Sequence, residues 1–240
     1  MPEYREFAPP ERLRDSVECI WMICHDDELA VLHRVVPDGC ADIIFTGGSG
    51  KPQLQFVGAM SRYEDYEVPA RSLMVGMRFH PGMWVEQLGA PADLITDKQL
   101  ALEDFWGKRA VVLLDKLSDA KSPQRCAEVL VDTVRNEHSP TPLQAAMAWM
   151  RSQQGLVKLD QVASHAGLSA RQFRRVCLQQ TGLSPKLLAR VLRFRYALSR
   201  VHENAGDHAG LAADCGYSDQ SHFIADFRRF SGCTPAAFGR

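Results

Sequence analysis

No stretch of this chain approaches the ~18 consecutive apolar residues that a membrane span requires, so no membrane role is expected. The N-terminal MPEYREFAPPERLRDS is too polar for a secretory signal, and a cytoplasmic location is expected. There is no Gly-rich phosphate loop and no Gly-x-Ser-x-Gly elbow, so two common sequence signs of enzyme chemistry are missing. Cysteine is present, but its seven copies are odd in number and scattered. That argues against a disulfide framework and for free thiols in a reducing cytosol.

Charge is nearly balanced over the whole chain, at −1, yet unevenly placed. Residues 141–240 hold 13 Lys and Arg against 6 Asp and Glu, a net of +7. The preceding 140 residues hold 15 against 23, a net of −8. A basic C-terminal module beside an acidic N-terminal one fits a polyanion-binding domain joined to one that does not bind polyanions.

The first 80 residues read as short strands: Val17–Cys24, Val31–Val36, Ala41–Phe45, Leu54–Ala59, Tyr63–Val68 and Ser72–Phe79. Turn signals such as Pro37-Asp38-Gly39 and Gly47-Gly48-Ser49-Gly50 separate them. Strands at this spacing suggest a small antiparallel barrel or sandwich. The period then changes, predicting helices over Met83–Leu88, Asp104–Leu117 and Pro123–Glu137. Asn136–Pro142 reads as a linker.

Beyond it the pattern is helical throughout, and one supersecondary signal occurs twice. Ala163–Arg175 reads ASHAGLSARQFRR and Ala212–Arg228 reads AADCGYSDQSHFIADFR. In each, a short helix ends at Gly, an apolar residue follows, a polar residue caps, and a second helix carries basic residues. That is the pattern of a helix-turn-helix, whose second helix enters the DNA major groove. In the first unit Phe173, Val176 and Cys177 share the inward face, leaving Arg171, Gln172, Arg174 and Arg175 outside. Arg suits bidentate contact with guanine, and Gln with adenine. In the second, Phe223, Phe227 and Phe230 make the inward stripe. Gln220, Ser221, His222, Ile224 and Ala225 are left outside, and Arg228 and Arg229 are placed for phosphates. A connecting helix from Pro185 to about Asn204 would span ~30 Å at ~1.5 Å per residue. Its Arg190, Arg193, Arg195 and Arg200 are candidates for further backbone contacts.

These residues resemble the AraC/XylS family of bacterial transcription regulators over about residues 142–238. The most specific part is GYSDQSHFIADFRRFSGCTPAAF, Gly216 to Phe238, supported by Gly167-Leu168-Ser169 and Gly182-x-Ser184-Pro185. The resemblance implies two units reading double-stranded DNA and controlling transcription, with RNA polymerase as a protein partner. It carries over the contact positions named above. Many relatives have Arg where this chain has Ala225, so base reading is expected to be weighted to the first unit. Three N-terminal motifs, Pro37–Phe45, Gly76-x-Arg78-Phe79-x-Pro81-Gly82 and Leu102–Gly107, resemble a cupin-like domain often fused to such regulators. This implies a sensing or dimerisation role, with a small-molecule effector and a homodimer as possible partners. The expected architecture is therefore α+β and multidomain. Residues 1–138 form a cupin-like β-barrel with trailing helices, and residues 139–240 form an all-α double helix-turn-helix.

Candidate ligand residues in the N-terminal part are Cys40, Arg78, Trp21 and Trp84. For each, a plain structural role stands beside the functional one: PDGCAD is a good turn, and Trp is ordinary core. Cys40 with Cys19, Cys24, His25 and His33 is the alternative metal- or thiol-sensing set, since Cys and His suit soft metals. Cys19-x4-Cys24 is not a tight zinc spacing, and His25, His33 and His80 are isolated, unlike the clustered ligands of a catalytic cupin. No cofactor, no resident metal and no enzyme activity are expected.

Overall fold

The computed structural model describes residues 2–134, 140–203 and 207–238. Eight strands fill the N-terminal part: β1 (Glu3–Phe7), β2 (Val17–His25), β3 (Val31–Val35), β4 (Ala41–Gly48), β5 (Gln53–Val57), β6 (Glu64–Val68), β7 (Ser72–Phe79) and β8 (Gln99–Ala101). Every pairing is antiparallel. Six strands form one sheet in the order β1-β2-β7-β4-β5-β8, and β3 and β6 form a separate ribbon. The expected closed barrel is not seen among the described residues. A barrel needs an unbroken hydrogen-bonded ring of strands. Here β1 and β8 are edges, and β3 and β6 pair only with each other. The sequence reading also passed over β1, whose five residues are all exposed, and the three-residue β8, because neither carries a buried apolar alternation.

Alternation on the central strands makes two buried layers. Ile20, Met22, Ile43, Phe45, Phe56, Val75, Met77 and Phe79 face helices α3 (Lys108–Ser118) and α4 (Pro123–Val131), which contribute Leu113, Leu117, Cys126 and Leu130. Cys19, Trp21 and Ile23 face the other way and pack with Val68 of the ribbon. Strand β2 is thus covered on both sides. Two short helices, α1 (Val85–Leu88) and α2 (Glu103–Trp106), complete this half. The single helix expected over Asp104–Leu117 is divided at Gly107, which lies outside helical backbone geometry. Pro123–Glu137 is helical as far as Val131; residues 136–139 of the expected linker, with the expected domain boundary, lie outside the described residues, and its last residue, Pro142, opens the next helix.

Seven helices follow: α5 (Pro142–Ser152), α6 (Leu159–His165), α7 (Ala170–Thr181), α8 (Pro185–Arg200), α9 (His208–Asp214), α10 (Gln220–Ser231) and α11 (Pro235–Phe238). Several of these starts carry polar caps. Ser169 and Gln172 form a reciprocal capping box, Ser184 caps α8, Asp207 caps α9 and Asp219 caps α10. The two recognition candidates, α7 and α10, both stop at a left-handed glycine, Gly182 (φ 77°) and Gly232 (φ 80°), a conformation that other residues adopt only with strain. One continuous apolar core runs through both units, from Val162, Phe173 and Cys177 to Phe194, Phe223, Phe227 and Phe230. It also takes in Ala59 and Val36 from the N-terminal half. No helix of the described residues is long and apolar enough to cross a membrane.

Candidate nucleic-acid interface

On α7 the inward stripe buries Phe173 and Cys177, which leaves Arg171, Arg174 and Arg175 exposed on the opposite face at i, i+3 and i+4. Arg175 donates from Nη1 to Oε1 of Gln179 at 3.3 Å, which aligns it along the helix. Gln172 is also exposed, but its Oε1 accepts from the backbone N of Ser169 (3.0 Å) and from its Oγ (2.7 Å). Reading adenine takes both ends of a Gln amide, and the capping box already holds one of them. Gln172 is therefore first of all a helix-start residue.

On α10, Asp219 accepts from the backbone N of His222 at 2.8 Å, and hydrogen bonds of this kind hold its carboxyl below the usual range. Gln220, Ser221, His222, Ala225, Arg228 and Arg229 are exposed. Ile224 is half-buried and packs against the core, so it presents less to a groove than expected. His222 sits edge-on to Tyr217, with ring centroids 5.8 Å apart, and its Nδ1 lies 3.3 Å from Oγ of Ser218. The front of this helix is polar but uncharged by Lys or Arg until Arg228.

The linker helix differs from expectation in length and in what its arginines do. Its 16 residues span ~24 Å rather than ~30 Å. Arg190 grips Asp226 of α10, with Nε 3.2 Å from both carboxylate oxygens. Arg193 donates to the carbonyl of Gly216 at 3.1 Å and lies over the ring of Tyr217. Arg200 pairs with Asp214 at 3.1 Å. Three of the four arginines expected to meet DNA backbone are thus committed to holding the second unit. Asp226, 1% exposed, anchors Arg190 and is not among the expected site residues. The signal was there: an acid between Phe223 and Phe227 lies on the inward side, where a buried charge requires a partner.

In the N-terminal half, three of the four candidate ligand residues meet. The Trp21 indole lies over Gly76, where a side chain would collide with it, and donates from Nε1 to Asp42 at 2.6 Å. The Nε of Arg78 is 3.3 Å from Asp38 and 3.4 Å from Asp42. The Cys40 thiol donates to Glu18 at 3.3 Å. Trp84 is not there. It is fully buried on the opposite face of the sheet, 4.8 Å from the Phe56 ring. Burial pushes Asp42 up to about 6, against the pull of Arg78, and drives the Cys40 thiol well above its usual value. A thiol so raised is not a reactive thiolate. Glu18, Asp38 and Cys40 are the one set among the described residues with metal-ligand proximity. Cys19, Cys24, His25 and His33 do not join it, and the Arg78 guanidinium beside the carboxylates opposes a cation. Asp42 and Arg78 are cross-strand neighbours on β4 and β7, a register that only the fold reveals.

Two family models match the chain. A helix-turn-helix domain model covers residues 162–240, and a domain of unknown function (DUF6597) covers residues 5–101. The transcriptional activator RhaS of Escherichia coli O157:H7 is 33% identical over 100 residues, 41% of this chain and 36% of that protein. Residues 162–240 thus match a helix-turn-helix domain model, and the chain is similar over part of its length to a named transcriptional activator. The match spans about a third of the length of that curated relative. Similar solved structures include the DNA-binding domain of AdpA in complex with a target DNA, 25% identical over 42% of this chain and 91% of that one, with a TM-score of 0.39. ToxT of Vibrio cholerae aligns over 99% of this chain and 97% of its own, at 8% identity and a TM-score of 0.41. The curated relatives are named as transcriptional activators.

Proposed function

We propose that this protein binds double-stranded DNA at two successive major grooves and thereby regulates transcription. The observation that carries this is the exposed triplet Arg171, Arg174 and Arg175 on a capped helix inside a duplicated helix-turn-helix. The first unit supplies most base reading through these arginines. The second contributes Gln220, Ser221 and His222 at bases, with Arg228 and Arg229 at phosphates. RNA polymerase is the protein partner that such a role requires.

The N-terminal half, cupin-like in its pattern of short strands, is the sensing and dimerising part of this reading. In this reading its effector is met by the polar cluster of Trp21, Cys40, Arg78 and their carboxylates. Selection of bound sequences from a random DNA pool is the test, and it is expected to return one bipartite site. Affinity for that site is expected to fall by about a thousandfold between 50 and 200 mM salt if about six phosphates are contacted. A flat salt response, or no enriched sequence, would sink the proposal. A rise in melting temperature with one member of a small-molecule library would support the effector site.

A further inference from the structure

We propose that the N-terminal half fixes the separation of the two reading helices, with Thr96 and Arg34 as the positioning residues. This rests on the DNA-reading role above.

Both reading helices end in the same short motif. Gly182-Leu183-Ser184-Pro185 follows α7, and Gly232-Cys233-Thr234-Pro235 follows α10. The motif reads as helix punctuation, with Gly closing one helix and Pro opening the next. In the fold each copy has a second use, because the N-terminal half docks on both glycines. At the first, Oγ1 of Thr96 donates to the carbonyl of Gly182 at 2.8 Å, and the turn that begins at Ala92 crowds its bare Cα. At the second, Arg34 and the ring of Tyr63 cover Gly232, and Arg34 Nη1 donates to the carbonyl of Ser231 at 3.4 Å. Arg34 is itself held by two 2.7 Å bonds to Asp65, and its guanidinium stacks 4.3 Å above Tyr63. Between these grips, Gly39 of the Pro37–Cys40 turn packs on Leu188 of the linker helix. The N-terminal half thus touches the first unit, the linker and the second unit.

The placement suits a brace. Both grips fall at the C-terminal ends of the reading helices, so their early turns, which reach bases, stay clear. Without the brace, the heads are joined through a single helix and its packing. A reader of two grooves is sensitive to small errors, since one base pair shifts a half-site by about 3.4 Å and rotates it by about 35°.

The experiment measures binding of the full chain to its selected operator with the spacer shortened or lengthened by one base pair. Unaltered protein is expected to discriminate sharply against both changes. Thr96→Val with Arg34→Gln is expected to cut that discrimination by about tenfold, the equivalent of one or two hydrogen bonds, while binding to the best spacer stays within about threefold. Thr96→Ser, which keeps the hydroxyl, is expected to retain the spacing preference in an otherwise unaltered chain. Unchanged discrimination in the double variant overturns the brace, as does an equal loss at every spacer. If the unaltered chain selects no sequence at all, the DNA-reading role itself fails.

Discussion

The two helix-turn-helix units share a plan and differ in where their charge goes. In the first, three arginines stand outside on α7. In the second, three arginines of the linker turn inward, to Asp226, the Gly216 carbonyl and Asp214. The first unit leaves its positive charge exposed to solvent and the second turns it inward, into its own assembly. A repeat can therefore keep its core periodicity while its charges go to different places, and in the function proposed above this makes the first copy the reader and the second the anchor.

The largest effect expected from breaking this contrast is at the anchor. Arg190→Ala leaves the buried Asp226 carboxylate without its partner and should cost about 3 kcal/mol in a denaturant titration. Arg174→Ala, with its side chain in solvent, should leave that titration within about 0.5 kcal/mol of the parent. The order reverses for DNA. Arg174→Ala should lose about 2 kcal/mol of specific binding, more than His222→Ala does. If His222→Ala abolishes binding and Arg174→Ala does not, the division of labour is wrong. The caps should behave alike in both units, since Ser169→Ala and Asp219→Ala each remove one helix-start acceptor and should cost about 1 kcal/mol. Arg228→Ala should weaken binding evenly across sequences and lower the salt slope by about 1, with no change in the preferred bases.

Acid gives a subtler separation. Burial and the nearby Arg151 of α5 hold His80 neutral, lowering it from 6.5 to about 4. The stabilisation from keeping it neutral is present above pH 6.5 and is lost as pH falls through about 4. Asp42, raised to about 6, works with the opposite sign, its contribution being present below 3.8 and lost as pH rises through about 6. Melting temperatures of His80→Gln and Asp42→Asn between pH 7 and 4 should therefore diverge. His80→Gln should lose part of the fall seen in the parent on acidification, and Asp42→Asn should steepen it.

Most of the helical half was legible because its elements are written locally. Leu159–His165 stops just before Gly167, and Ser169 and Gly182 flank α7 as a cap and a glycine stop. Caps, glycine stops and a 3.6 period act over a few residues, so one sequence suffices. The sheet was legible strand by strand, with Ser72–Phe79 correct at both ends, but not in its closure. Pairing order depends on contacts between distant segments, and nothing near β3 says that it will leave the main sheet to pair with β6. The candidate ligand residues divide for the same reason. Trp21 and Arg78 lie on neighbouring strands that place them together, whereas Trp84 follows β7 in a segment whose direction only tertiary packing decides. The inward arginines of the linker escaped because a basic residue on a long helix usually faces water.

The shared core has a consequence for dissecting the molecule. Ala59 lies in the same apolar cluster as Phe194 and Phe227, and Val36 packs against it, so a cut near residue 140 would uncover part of that cluster. A fragment carrying only the helical half would display Leu188 and the bare flanks of Gly182 and Gly232 to water. Such a piece should be stickier than the intact chain, and more soluble when its missing neighbour is supplied as a separate polypeptide.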